Sequence, residues 1–202
     1  TLWAWGLGTT AGQLGDSAKI NRSSPVQIGT LTSWSLVSAG ESHSLATKTD
    51  STLFSWGLAT SGQLGNNEDG TRFSPVQIGT LTAWASIGIG HSHSLAVKTE
   101  GTLWVWGIGS NGQLGETATT ANRSSPVQIG TLTDWAAAVG GISHSLARKT
   151  DNTVWAWGVG TDSQLGDSAK VSRSSPVQIG TLTGWTDITG GDSHSIAIRN
   201  TA

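Results

Sequence analysis

The nine residues SPVQIGTLT, at positions 24–32, occur four times in this chain of 202 residues. The other copies begin at Ser74, Ser125 and Ser175, so successive copies are 50 or 51 residues apart. An identical repeat at this period is typical of propeller blades or solenoid units, each of which buries its apolar face only against a neighbouring unit. The period therefore predicts a repeat architecture rather than one or two ordinary globular domains.

Within each repeat the pattern indicates short strands. In the third repeat, TLWVWG (residues 102–107) alternates around Trp104 and Trp106, and Pro126 opens a short β-branched run. The segment 98–102 and its counterparts predict hairpin turns, and no helical periodicity continues over a dozen residues. The sequence predicts an all-β fold, a β-propeller of four-stranded antiparallel blades. We expect one domain, 1–202, with repeats at about 1–51, 52–101, 102–152 and 153–202.

The two ends of the chain align with each other through the repeat. When the repeats are aligned so that His194 matches His144, Ala202 falls at the position of Asn152. The next position of the repeat is a threonine, and Thr1 occupies it at the start of the chain. We therefore expect the N- and C-terminal strands to share one blade, which would remove two exposed sheet edges. Because the chain begins at Thr1 and contains no Met, we also expect a processed chain or a segment of a longer one.

Composition narrows the classes of function. Charged residues make up only 12% of the chain, about half the usual share, and the net charge of -2 predicts no nucleic-acid binding. No apolar run reaches the roughly 18 residues that a bilayer span requires, so no membrane insertion is predicted. The absence of cysteine excludes disulfides and thiolate chemistry. A weakly charged surface rich in Ser and Thr favours an extracellular, cell-surface or virion location over the cytoplasm.

The order of motifs within a repeat is distinctive: WG, then GQLG, then PV, then a glycine-containing segment such as AGESHSLA. This order resembles the regulator of chromosome condensation repeat family, and it occurs four times in phase. The resemblance implies a β-propeller, in that family usually of seven blades, acting as an exchange factor, an enzyme inhibitor or an interaction platform. Four repeats leave three arrangements open: a four-bladed ring, an eight-bladed ring formed by a homodimer, and part of a longer array.

Two residue types recur in every repeat in positions that predict a structural role. The tryptophan that follows each nine-residue copy is expected to pack between blades. The tryptophans of the TLWxWG strands are expected to do the same, with carbohydrate stacking on exposed indoles as the alternative. A Ser–His pair can form a nucleophile system, but a catalytic pair is needed once, whereas a structural hydrogen bond is needed in every blade. His91 and His93 alone make a weak metal site, so no metal, cofactor or catalytic residue is predicted. The recurring residues are Trp34, Trp84, Trp135, Trp185, His43, His93, His144 and His194.

The segments 16–23, 66–73, 116–124 and 167–174, called the variable loops below, differ most between repeats. Recognition residues concentrate on such segments of rigid scaffolds. Each variable loop carries one arginine, and a ring of guanidinium groups would suit an anionic partner; the alternative is pairing with an acidic residue of the same loop. Phe73 is the one large aromatic side chain in these loops and is a second candidate contact residue. The candidate arginines are Arg22, Arg72, Arg123 and Arg173.

The sequence therefore predicts a non-enzymatic propeller that serves as a rigid binding or assembly module, with a bacterial-surface or virion component as the particular hypothesis. Its expected partner is a protein or a glycan. The alternative is a protein-interaction regulator of the resembled family, either a GTPase exchange factor or an enzyme inhibitor. Against the exchange factor, no repeat carries an inserted loop that could act as a wedge.

Overall fold

In the computed structural model, residues 1–117 and 120–200 are described. Residues 118–119, within the third variable loop, and 201–202, at the end of the fourth repeat, lie outside this part, so those two predicted segments are only partly covered. The described chain forms strands and no helix long and apolar enough to cross a membrane. The strands are β1 (Trp3–Gly6), β2 (Arg22–Gln27), β3 (Trp34–Ala39), β4 (His43–Lys48), β5 (Leu53–Gly57), β6 (Arg72–Gln77), β7 (Trp84–Ile89), β8 (His93–Lys98), β9 (Leu103–Gly107), β10 (Arg123–Gln128), β11 (Trp135–Gly140), β12 (His144–Lys149), β13 (Val154–Gly158), β14 (Arg173–Gln178), β15 (Trp185–Gly190) and β16 (Ser195–Arg199).

These strands form three complete blades and two half-blades. The complete blades are the antiparallel sheets β3–β6, β7–β10 and β11–β14, called blades I, II and III, and each follows chain order. β1 and β2 form a two-stranded sheet at the N-terminal end, and β15 and β16 form another at the C-terminal end. The first strands, β3, β7, β11 and β15, contact one another in succession and are therefore nearest the axis. The predicted propeller of four-stranded antiparallel blades is confirmed.

The blades are out of phase with the sequence repeats by half a repeat. The first two strands of each repeat complete one blade, and its last two strands begin the next. The predicted hairpin turns explain the shift, because they join consecutive repeats within one sheet. In the first of them, the Lys48 N–H donates to the Thr52 carbonyl at 3.0 Å and the Ser51 N–H donates to the Lys48 carbonyl at 2.9 Å. Each repeat is thus linked to the next by strand pairing as well as by the covalent chain.

The repeated nine-residue stretch forms the outer strand and the linker to the next blade. Its isoleucine is buried in the first three copies, at 1% exposure for Ile28. Gly29 has a φ of 59°, in the region that glycine enters without strain. The Gln27 side chain donates to the Gly29 carbonyl at 3.2 Å, and the Trp34 indole N–H donates to the Leu31 carbonyl at 3.1 Å. The stretch is identical in each repeat because every blade needs the same linker, held by the same hydrogen bonds.

The core lies between blades rather than within any one of them. Leu95, Val97 and Val105 of blade II pack with Trp135 and Trp157 of blade III in one buried cluster. Trp106 and Trp157 have no exposed surface. In each complete blade the first-strand Trp also meets an aromatic ring of the third strand edge to face, with centroids 5.2–6.0 Å apart. Core packing of these tryptophans, the predicted role, is what the complete blades show.

The two half-blades lie in separate sheets, and their facing edges are open. Every residue of β16 is exposed, and Trp3 and Trp5 of β1 are 50% and 62% exposed. The expectation that these strands share one blade, within one chain or between chains, stays a prediction.

Candidate interaction surfaces

Neighbouring blades are joined by a three-part hydrogen-bond contact that we call the latch. His43 Nε2 of blade I lies 2.9 Å from Ser94 Oγ of blade II. Ser94 Oγ in turn donates to the Gln63 carbonyl at 2.9 Å. The Trp106 indole N–H donates to that same carbonyl at 2.9 Å. A backbone carbonyl in the loop of one blade thus accepts two side-chain donors from the next blade.

The latch repeats around the arc. His93 Nε2 lies 2.9 Å from Ser145 Oγ, and His144 Nε2 lies 3.0 Å from Ser195 Oγ. The histidines of the three complete blades make this contact, whereas the fourth, His194, is exposed, and a structural role for all four stays a prediction. The three contacts bridge adjacent blades, whereas the sequence indicated only a bond that pins a turn.

The polarity of the latch is opposite to that of a catalytic Ser–His pair. Ser94 has one hydroxyl proton, which it donates to Gln63, so His43 Nε2 must carry a proton and donate it to Ser94. A nucleophilic serine donates to an unprotonated imidazole nitrogen. The latch histidines therefore hold the serine in place and do not activate it.

Burial keeps these imidazoles neutral. Removal from water lowers the pKa of His43 to about 3, and a neighbouring histidine, His91, adds to the effect. Burial likewise lowers the pKa of His93 to about 3 and lowers the pKa of His144. The latch is therefore built for neutral histidine and makes the contacts between blades sensitive to acid.

The four candidate arginines are all paired within their own loops. Arg22 Nε lies 2.6 Å from Asp16 Oδ2, and Arg173 Nε lies 2.9 Å from Asp167 Oδ2. Arg123 pairs with Glu116, and Arg72 pairs with Glu68. The local pairing that the sequence offered as the alternative is what the structure contains. Partner binding by these arginines stays a prediction, and a partner would have to displace or share an existing ion pair.

In three of the four pairs the acidic member is the more enclosed one, and Glu68, which is more exposed than Arg72, is the exception. The Asp16 side chain is only 6% exposed. Burial alone would raise the pKa of Asp16, but hydrogen bonds from Arg22 and from the Ala18 N–H hold it below its usual value. Hydrogen bonds from the Ala169 N–H and from Arg173 lower the pKa of Asp167. These carboxylates fix the shape of the variable loops in addition to balancing charge.

Phe73 contacts the variable loop of the preceding repeat. It is half-buried, and Lys19 Nζ lies 4.1 Å above the centre of its ring. Its carbonyl accepts a hydrogen bond from the Ser17 N–H at 2.8 Å. Neither of the two roles considered from the sequence, a partner contact or a fold-back onto its own blade, includes this bridge between variable loops. A role for Phe73 in partner binding stays a prediction.

One end of the arc, called the loop face here, carries the variable loops and the one variable residue of each Gly-x-Ser-His turn. In an antiparallel meander the turn after the first strand and the loop after the third strand lie at the same end of the sheet. The Gly-x-Ser-His turns and the variable loops are therefore on one face. Near the axis these turns enclose a depression of about 530 Å³. Its lining includes the residue at the x position of each turn: Glu41, His91, Ile142 and Asp192.

The axial depression is chemically mixed. The Glu41 carboxylate contacts the His91 ring between neighbouring repeats, whereas Ile142 is 39% exposed. The sequence reasoning gave these positions no binding role, although one variable residue inside an otherwise constant turn was a usable signal. His91 is exposed while His93 is buried, so the two do not share a metal-binding surface. No cluster of three or more metal-ligating side chains occurs in residues 1–117 and 120–200.

The ends of the arc present two apolar grooves. At the N-terminal end, a groove of about 670 Å³ is lined in part by Trp3, Trp5 and Val37. At the C-terminal end, a groove of about 380 Å³ is lined in part by Leu165 and Ile196. Val37 is 66% exposed and Ile196 is 56% exposed. Large apolar side chains exposed together mark an interaction surface.

Meandering four-stranded blades arranged around an axis, joined by identical contacts, define the class of β-propeller repeat proteins. The family model described as the regulator of chromosome condensation (RCC1) repeat matches residues 1–47, 50–97, 100–148 and 151–198. A second model with the same description matches residues 34–63 and 84–113. The chain belongs to the RCC1 repeat family. A comparison with curated protein sequences finds no match.

Solved structures with the same fold are about twice as long. Human WBSCR16 is 22% identical with a TM-score of 0.87, and the match covers 98% of this chain and 52% of that one. Prp20p from Saccharomyces cerevisiae is 21% identical with a TM-score of 0.83, covering 98% and 52%. A second structure of the yeast protein, with Kap60, is 19% identical with a TM-score of 0.82, covering 98% and 49%. The chain spans about half the length of these proteins, and the likeness at this identity is one of fold.

Proposed function

We propose that this chain is a non-enzymatic interaction module that holds a protein partner on its loop face. The observation that carries the proposal is the placement of sequence variation. Blades I to III are nearly identical in their latches and linkers, whereas the variable loops and the axial residues Glu41, His91, Ile142 and Asp192 differ and share one face. A rigid scaffold that presents variable residues on one face is suited to recognition.

Relatives by fold support a protein partner. The structure of Prp20p was reported together with its binding to Gsp1p and histones, and the same yeast protein was solved bound to Kap60. The latch histidines, which donate to serine instead of activating it, support a role without catalysis. Exchange-factor and enzyme-inhibitor roles, which the sequence left as alternatives, fall within this protein-binding class and are separated by the identity of the partner.

The finer parts of the proposal concern setting and assembly. A chain with only 12% charged residues suits an extracellular, cell-surface or virion setting, and the proposal places the module there. Assembly into a two-chain ring is part of the same proposal, supported by the apolar grooves at the ends of the arc. A glycan is the alternative ligand, favoured by the exposed indoles of Trp3 and Trp5.

The test is capture of partners from the native source with matched surface variants. Ile142→Glu alters the axial depression of the loop face, and Leu132→Glu alters a linker at the opposite face; these side chains are 39% and 46% exposed. We expect Ile142→Glu to abolish capture of a protein that Leu132→Glu still retains. A partner that survives the first substitution and is lost with the second would overturn the assignment to the loop face.

A further inference from the structure

The indole of each complete blade fits into a site on the blade before it, and the C-terminal end of the arc has the same site. A Cβ added to Gly65 or Gly115 would lie 2.7 or 2.9 Å from the indole nitrogen of Trp106 or Trp157, so these glycines leave room for the ring. Gly166 is the equivalent residue of blade III. A Cβ added there meets only Ile179, at 3.3 Å, and the groove of about 380 Å³ lies beside it.

The acceptor for an indole is also present at this end. The Gln164 carbonyl accepts a hydrogen bond from Ser195 Oγ at 2.7 Å, as the Gln113 carbonyl does from Ser145 Oγ. The Gln113 carbonyl additionally accepts the Trp157 indole N–H at 2.8 Å. A carbonyl oxygen has two lone pairs, so Gln164 can accept a second donor in the same geometry.

The N-terminal end carries the matching side chain. Trp5 occupies the position in its repeat that Trp56, Trp106 and Trp157 occupy in theirs. Those three are 0–3% exposed, whereas Trp5 is 62% exposed, and its indole N–H has no hydrogen-bond partner in the described part of the chain. An exposed indole and an indole-shaped site with a free acceptor therefore lie at opposite ends of one chain.

Three further contacts match in the same register. β12 pairs with β13 so that Ser145 faces Trp157, which places Ser195 of β16 opposite Trp5 of β1. The edge-to-face pair of Trp135 and Trp155 has Trp185 and Trp3 as its equivalents at the two ends. Val97 of blade II and Ala138 of blade III lie in one buried cluster, and their equivalents at the two ends, Ile198 and Val37, are 56% and 66% exposed.

We propose that the ends of two copies of this chain bind each other, with Trp5 of each copy seated beside Gly166 of the other, to give a closed ring of eight blades. The proposal rests on the assembly role proposed above and names its surface. A second copy is the occupant because the chain carries both halves of this contact, the exposed Trp5 at one end and the open site beside Gly166 at the other. The two half-blades form separate two-stranded sheets, so the two ends of one chain do not pair with each other.

The symmetry of this contact makes it testable. Each junction joins the N-terminal end of one copy to the C-terminal end of the other, so the two contacting surfaces of a junction are different. Two such junctions related by a two-fold axis close the ring, whereas an angle that does not close would give an open filament. The two ends can accordingly be altered independently.

The experiment measures mass by sedimentation equilibrium over a range of concentrations, against the 20.8 kDa of one chain. We expect the unmodified chain to have twice that mass. Trp5→Ala should weaken association by about 30-fold or more, as loss of a central buried indole does at interfaces. Ile198→Arg should give monomer, while Val171→Arg, also at an exposed aliphatic residue but in a variable loop, should stay dimeric. Circular dichroism confirms that each variant is folded.

Mixing two monomeric variants provides a second readout. Val37→Arg alters only the N-terminal end and Ile198→Arg alters only the C-terminal end. Because each junction contains one end of each kind, neither variant can form an intact junction with another copy of itself. A mixture retains one intact junction, and we expect it to restore a species of two chains. A monomeric unmodified chain, masses larger than two chains, or a dimer indifferent to Ile198→Arg would each overturn the proposal. If the chain is monomeric and still captures a partner through the loop face, the two-chain ring is wrong and the proposed binding function stands.

Discussion

The backbone carbonyl of Gln63 receives a serine hydroxyl and a tryptophan indole from the next blade, and the serine also accepts a histidine N–H. All of these groups are buried, where a polar atom without a partner is costly. At the scale of single residues, the stability of the arc therefore depends on a few hydrogen bonds that repeat from blade to blade.

Removing a latch serine should destabilise the fold more where that serine contacts both a histidine and a backbone carbonyl. Ser94→Ala takes the acceptor from His43 and the second donor from Gln63, and we expect it to lower the free energy of unfolding by about 1–3 kcal/mol. Ser44→Ala is the matched control, because Ser44 Oγ donates to the Gln13 carbonyl and has no histidine partner among the described residues. Urea unfolding of both variants measures the difference. Equal losses would show that the histidine contact contributes nothing.

The buried histidines should make the fold sensitive to mild acid. His43 and His93 are neutral in the folded state because burial holds their pKa at about 3, while in the unfolded chain they bind protons below about pH 6.5. Their contribution is complete above pH 6.5 and is lost as the pH falls toward 3, by roughly 1 kcal/mol for each histidine per pH unit. Urea unfolding at pH 7.5, 6.0 and 5.0 measures this slope.

Substitution of one histidine isolates its share of that slope. His93→Gln should flatten the dependence of unfolding free energy on pH between 6.5 and 5, whatever its effect on stability at pH 7.5. His91→Gln, at an exposed histidine paired with Glu41, is the control and should leave most of the slope. The carboxylates with lowered pKa, such as Asp16 and Asp167, titrate at more acidic pH than this window. An unchanged slope in His93→Gln would contradict neutral burial.

At the scale of elements, the hairpins that join repeats are the points where local sequence and fold agree most closely. The third residue of the turn has a positive φ in all three complete blades, at Ser51, Gly101 and Asn152. These hairpins were predictable from turn-forming residues between two alternating strands. The latch acceptor was not, because it is a backbone carbonyl and leaves no side-chain pattern. The contacts of Phe73 with Ser17 and Lys19 were hidden as well, because they join residues of different repeats.

A turn glycine should be far less replaceable than a loop glycine. Gly101 has a φ of 79°, and a Cβ added there would lie 2.0 Å from the Thr133 carbonyl oxygen. We expect Gly101→Ala to lower the free energy of unfolding by more than about 1 kcal/mol. Gly70→Ala, where nothing lies within 4 Å of the added carbon, should be neutral within about 0.5 kcal/mol. Thermal unfolding of the two variants compares them directly, and similar melting temperatures would contradict the strain at Gly101.

At the scale of the whole molecule, the arc is repetitive inside and incomplete at its ends. The repeat period predicted the blade content, since each nine-residue copy fixes one linker and one blade. The number of blades in a closed ring did not follow from the sequence, because the angle between blades depends on packing of side chains such as Val97 and Trp135. The same packing surfaces are exposed at the two ends, and their match supports closure by a second chain.

The most direct measurement of that closure is a disulfide across the proposed junction. Leu146 faces Ala156 in the pairing of β12 with β13, so Ile196 of β16 should face Ala4 of β1, and the chain has no cysteine of its own. The double variant Ala4→Cys with Ile196→Cys, oxidised and run on a non-reducing gel, should give a covalent species of two chains. Either single variant should run there as one chain if these two positions face only each other. A double variant that stays uncrosslinked, or that crosslinks within one chain, would contradict the two-chain ring.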